Sequence, residues 1–134
     1  MRPLLAVIVL VAAACSMSAD AKVAEAAVDR FHTMLDAGEF EAIYVGSSED
    51  LKNVSTRDRF VALLEAVHRK LGNSKSSKEQ SWNVNYHTSG IFVTLVYMTS
   101  YAEGDASEQF VYRLQGSRAQ LAGYHINSEA LVLK

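Results

Sequence analysis

The chain has 134 residues, of which 49% are hydrophobic and 21% charged, and its net charge is −2. That balance argues against a disordered chain, and the length suits one domain around one core rather than two domains. Its near-neutral charge argues against nucleic acid as a partner, because phosphate neutralisation needs a clustered basic surface.

The chain opens on Met1-Arg2, a minimal positive region, followed after Pro3 by an apolar run from Leu4 to Ala14. A spanning helix needs about 20 apolar residues, so the run fits the core of a secretory signal rather than a transmembrane anchor. Ala12-Ala13-Ala14 then lead directly into Cys15, the only cysteine, which excludes an intramolecular disulfide.

Small residues ahead of a cysteine at this distance resemble the bacterial lipoprotein signal. The resemblance covers the first 15 residues and implies cleavage before Cys15 and a lipid on its thiol. Ala12 stands where leucine is commonest in that family. The rival reading is ordinary secretion, which leaves a free thiol. Acyl chains contribute about 0.8 kcal/mol per buried CH₂, so two or more hold a protein on its membrane. Ser16 follows the cysteine where aspartate signals inner-membrane retention in enteric bacteria, so the resemblance implies the outer membrane, facing the periplasm. The expected division is a signal peptide at 1–14, a lipidated cysteine and short tether at 15–20, and a domain at 21–134.

Within the domain, Ala24, Ala27, Val28, Phe31 and Leu35 recur at helical spacing over residues 21–36, and Gly38 marks a stop. A short helix through "EFEAIYV" follows. A third helix has Ser55 or Thr56 as N-cap, a stripe of Phe60, Leu63, Leu64, Val67 and Leu71, and Gly72 as its end. Acids outnumber bases over residues 20–50 and bases outnumber acids over 51–80, a split that solvated helix faces and a solvated loop account for. "NSKSSKEQ" reads as a polar loop.

Four strands follow: "SWNVNYHT", "GIFVTLVYMTSY", "SEQFVYRLQ" and "AQLAGYHIN", separated by Ser89-Gly90, Gly104-Asp105 and Gly116-Ser117. Treating each pair as a two-residue hairpin loop predicts one apolar face. Tyr86 then faces Val93, Trp82 faces Tyr97, Tyr97 faces Tyr112, and Phe110 faces Gly123. The opposite face is expected to carry Phe92, Val96, Met98, Val111, Tyr124 and Ile126 among polar residues. The predicted class is α+β: three N-terminal helices on a curved four-stranded antiparallel meander.

With "LDAGEF", a helix ending "KLG" and a closing "LAGYHI", this order is similar to the nuclear-transport-factor-2-like (cystatin-like) fold. It is closer still to secreted bacterial domains of unknown function with that fold. The resemblance spans roughly residues 22–128 and implies a cone whose open end can hold a ligand.

No nucleophile elbow, HExxH, phosphate loop or paired metal spacing occurs in the chain, so no catalytic residue, metal or cofactor is expected. His32 and His68 read as partly exposed surface residues. The register instead puts His125 on the core face beside Glu108, across from Tyr101, an arrangement that prepares a base but that a solvated cross-strand pair also explains. Trp82, Tyr86, Tyr97 and Tyr112, with Glu108 and His125, form the candidate ligand site, since buried tyrosine hydroxyls need partners. Three functions remain open at this point. One is a lipid-anchored binding domain for a protein partner or small apolar ligand. The second is a proton-transfer enzyme using His125, Glu108 and a tyrosine. The third is a homodimer through the second sheet face.

Overall fold

The computed structural model describes the backbone of residues 2–133 and the side chains of residues 16–133. The chain is α+β, with helices followed by one four-stranded sheet. The order is α1 (Arg2–Asp36), α2 (Phe40–Val45), α3 (Glu49–Val54), α4 (Arg57–Leu71), β1 (Ser74–His87), β2 (Gly90–Tyr101), β3 (Gly104–Gln115), β4 (Arg118–Asn127) and α5 (Glu129–Leu133). The strands form an antiparallel meander in sequence order. Two short helices, α3 and α5, add to the three expected.

The first helix is longer than predicted and runs through residues 16–20. Residues 16–20 are helical, Met17 packs against the core and Ala21 is buried. The local sequence "SADAKVAEAA" is rich in alanine, the best helix former, and a side-chain bond to β1 holds the segment. Gly38 ends the helix at φ 75°, with its N–H bonded to the Leu35 carbonyl and the Glu39 N–H to the Met34 carbonyl. That is the paired C-terminal closure that glycine favours. In α4 the Thr56 hydroxyl accepts from the Arg59 N–H, and Phe60, Leu64, Val67 and Leu71 face the core. Leu63, expected in the stripe, is 39% exposed.

The sheet's core face carries Val84, Val93, Leu95, Tyr97, Ala106, Phe110, Tyr112, Leu114 and Leu121, against which α1 packs Val28, Phe31 and Leu35. Phe110 is at the centre, edge-on to Phe31 at 5.0 Å and stacked with Tyr112 at 6.1 Å. Burying a phenylalanine of this kind contributes about 3 kcal/mol.

Several predicted pairings differ from the observed ones. The β2–β3 turn is Ala102-Glu103, so Tyr97 pairs with Glu108 rather than Tyr112, and Leu95 with Phe110. Tyr86 pairs with Ile91 and Trp82 with Leu95. These are even-numbered slips, which change partners but preserve the face. One-residue bulges do change it; besides one between Ser74 and Ser76 at the start of β1, two lie within the sheet. One lies between Glu79 and Ser81, within a strand that begins at Ser74, so "NSKSSKEQ" is mostly strand rather than loop. The other adds Ala122 to β4, so Tyr112 still pairs with Leu121 but Phe110 now pairs with Tyr124. Beyond that bulge, Tyr124 is buried, Ile126 packs on the core and His125 points outward. The expected second face therefore loses Tyr124 and Ile126. It keeps Phe92, Val96, Met98 and Val111, with the Arg113 guanidinium 4.5 Å above the Phe92 ring.

Candidate functional site

The predicted site residues separate into three places. Trp82 and Tyr86 are on the core side of β1, but this is an edge strand and they are 42% and 53% exposed. The Tyr86 hydroxyl donates to Asp20 of α1 at 2.9 Å. Tyr97 is buried and donates to Glu79 at 3.2 Å. The Glu79 carboxylate also lies within hydrogen-bond reach of Glu25. Burial, and then that carboxylate, raise the Glu25 pKa. His125 is exposed on the outer face, paired in register with Gln109, so the predicted His125–Glu108 neighbourhood does not form. The Cys15 side chain lies outside the described residues.

Glu108 does have a histidine partner, and it is His32. Contrary to expectation His32 is buried, and its Nε2 meets Glu108 Oε1 at 2.8 Å. Its spacing gives the reason: four residues after Val28 and three before Leu35, it flanks the apolar stripe of α1. That spacing was the signal available in the sequence. The other carboxylate oxygen accepts from Tyr101 at 2.8 Å and Tyr124 at 2.5 Å. On the far side of the ring, Ser77 Oγ lies 3.4 Å from His32 Nδ1 and 3.1 Å from Thr99 Oγ1. Burial pushes the Glu108 carboxyl up, but the His32 hydrogen bond and electrostatic pull, with the Thr99 and Tyr124 hydroxyls, hold it below its usual value. Burial, and then the neighbouring carboxylate, raise the Tyr101 and Tyr124 pKa values. Glu108 is 0% exposed and both oxygens are bonded, so the network fastens α1 to β2, β3 and β4 and presents no group to a substrate.

His68 is half-buried, with its ring 5.9 Å from Phe40 and Nδ1 unpartnered. Asp50 of α3 forms a bidentate pair with Arg113 at 2.7 and 2.9 Å. Chiefly through that bond, its pKa is lowered to about 2.

Two predicted site residues line recesses: His125 borders one of about 160 Å³ on the outer face with Val96 and Gln109, and Tyr112 borders one on the core side. A recess of about 200 Å³ opens between α1, α2 and the β3–β4 pair, walled by Ala27, Phe31, Met34, Ile43, Tyr112 and Leu121, with Arg30 also lining it. Tyr112 is 3% exposed and its buried hydroxyl has no hydrogen-bond partner. Leaving such a group unpaired costs about 1–3 kcal/mol. Sequence reasoning singled out this tyrosine but missed Arg30, which the helical pattern marks only as polar.

Residues 27–124 match the family described as "Protein of unknown function (DUF4019)", more than half of the chain. The chain belongs to the DUF4019 family. No curated protein and no solved structure matched it. The DUF4019 match takes in the His32–Glu108 network and the Tyr112 recess, and it ends at Tyr124, one residue before His125. Among the described residues of this DUF4019 chain, no helix is long and apolar enough to cross a membrane. No group of three or more His, Cys, Asp or Glu residues there is placed to hold a metal ion.

Proposed function

We propose that this DUF4019 chain is a non-enzymatic binding domain of the cell envelope, held by a lipid on Cys15 and taking a small apolar ligand in the recess beside Tyr112. The observation that carries the ligand reading is the largely apolar recess that Tyr112 helps to wall, together with the closed-off hydroxyl of that tyrosine, which has no partner among the described residues. The anchor reading rests on the resemblance of Ala12-Ala13-Ala14-Cys15 to the lipoprotein signal. The likeness of the element order to the nuclear-transport-factor-2-like fold supports a domain that closes around a small molecule. Ser16 next to Cys15 favours the outer membrane, on its periplasmic side.

A proton-transfer enzyme is the less favoured reading. It needs Glu108 and a histidine open to a substrate, whereas His125 is on the other face and Glu108 is sealed by three donors. Self-association through the outer sheet face has less apolar surface to draw on once Tyr124 and Ile126 turn inward.

Native mass spectrometry of the protein drawn from its own membranes tests the ligand reading. The expected result is a retained small molecule that is lost or reduced in Tyr112→Phe. A mass equal to that of the bare polypeptide in both proteins counts against it.

A further inference from the structure

The recess is not uniformly apolar, and its two polar features belong to different residues. Tyr112 lines it, and the hydroxyl of that side chain, closed off from solvent in the empty domain, neither donates to nor accepts from any of the described residues, so a ligand reaches it only by opening the wall. Arg30 contributes a cation on the same lining. The Arg30 side chain is exposed, takes part in none of the ion pairs around it, and is the charge that acts most strongly on the Tyr112 hydroxyl. Glu108 and Asp29 act on the hydroxyl more weakly and in the opposite sense.

A wholly apolar ligand would leave the hydroxyl unpaired and would make no use of the guanidinium. A neutral alcohol would satisfy the hydroxyl alone. An amine would bring a second cation beside Arg30. A carboxylate satisfies both groups: it accepts from the hydroxyl and pairs with the guanidinium, in the charge-assisted geometry arginine favours.

We propose that the recess binds a small amphipathic monoanion, an acyl carboxylate, with its head between Tyr112 and Arg30 and its tail against Phe31, Met34, Ile43 and Leu121. This rests on the reading of the recess as a ligand site and narrows the ligand from apolar to anionic. The volume of about 200 Å³ restricts what is enclosed to a short chain or one end of a longer one.

The test titrates hexanoate, hexanol and hexylamine separately into the full-length protein in lipid nanodiscs, with saturation-transfer NMR as the readout. Arg30→Gln and Tyr112→Phe are compared with wild type, and thermal melts confirm that each variant is folded. Hexanoate is expected to bind at least tenfold more tightly than hexanol, and hexylamine least. Arg30→Gln should abolish the preference for hexanoate while leaving hexanol binding in place, and Tyr112→Phe should weaken both. Equal binding of hexanoate and hexanol by wild type, or tighter binding of hexylamine, overturns the anionic class but keeps the recess as a ligand site. No binding of any of the three overturns both.

Discussion

At the residue scale, the buried polar groups fall into those that bind the fold together and those left without a partner among the described residues, the Tyr112 hydroxyl and His68 Nδ1. The His32–Glu108 contact belongs to the first kind. Replacing His32 by leucine leaves Glu108 buried with only hydroxyl donors, which should cost about 3 kcal/mol by urea unfolding, at the low end for a broken buried pair because Tyr101 and Tyr124 remain. His125→Ala, at an exposed position on the outer face, should change stability by less than about 0.5 kcal/mol. Tyr112 belongs to the second kind. Tyr112→Phe removes an unsatisfied hydroxyl, so the empty domain should be as stable or more stable, by up to about 1 kcal/mol, while ligand retention falls. Loss of stability together with loss of ligand would instead indicate a structural tyrosine. Glu25 and Glu79 give a pH test. A carboxyl whose folded pKa is raised favours the fold below its ordinary value, and that contribution is lost as pH rises through the folded value. Glu79→Gln should therefore raise the melting temperature at pH 7 and have a smaller effect at pH 4.

At the element scale, the sequence was most legible where one period runs unbroken. The α4 stripe except Leu63, its Thr56 cap and its Gly72 stop follow the sequence because each obeys a local rule. The face assignments of β2 and β3 survived a misplaced turn because the slip was even-numbered. The errors came where an odd residue was inserted. Ala122 looks like an ordinary strand residue, and its bulge reverses every side chain beyond it on that strand. That reversal placed His125 wrongly on the core face and Tyr124 wrongly on the outer one. A glycine inside a strand is the usual sign of a bulge, and Gly123 in "LAGYHI" was that sign. Ser77 and Glu79 read as loop because they are polar, yet they face the core side, where His32, Thr99 and Tyr97 provide polar partners. Deleting Ala122 should bring His125 inward and Tyr124 outward, so loss of the cooperative melt in circular dichroism is expected; an unchanged melt would mean that β4 tolerates either register.

At the scale of the whole molecule, α1 ties the amino-terminal end of the domain to the sheet. Asp36 accepts from the Ser74 N–H and hydroxyl at one end, and Asp20 accepts from the Tyr86 hydroxyl at the other. The helix rises about 1.5 Å per residue, so the Asp20–Tyr86 bond lies within about two turns of Cys15. On the anchored reading, the domain is therefore stiffly placed above its leaflet instead of swinging on a tether. The tyrosines also link folding to alkaline pH. Tyr97, Tyr101, Tyr112 and Tyr124 all have raised pKa values, chiefly through burial. Their contribution is intact below their ordinary value of about 10 and lost as pH rises above it. Absorbance at 295 nm should show these four ionising together with unfolding, after the exposed tyrosines; independent ionisation near pH 10 without unfolding would contradict their burial.

The central claim is that an acylated Cys15 holds this domain at a membrane. The direct measurement is the intact mass and amino-terminal peptide map of protein extracted from its native membranes, compared with Cys15→Ala. The account predicts a chain beginning at Cys15 and carrying acyl chains, and a Cys15→Ala protein that leaves the membrane fraction. A soluble mature chain with a free thiol at that cysteine would contradict it.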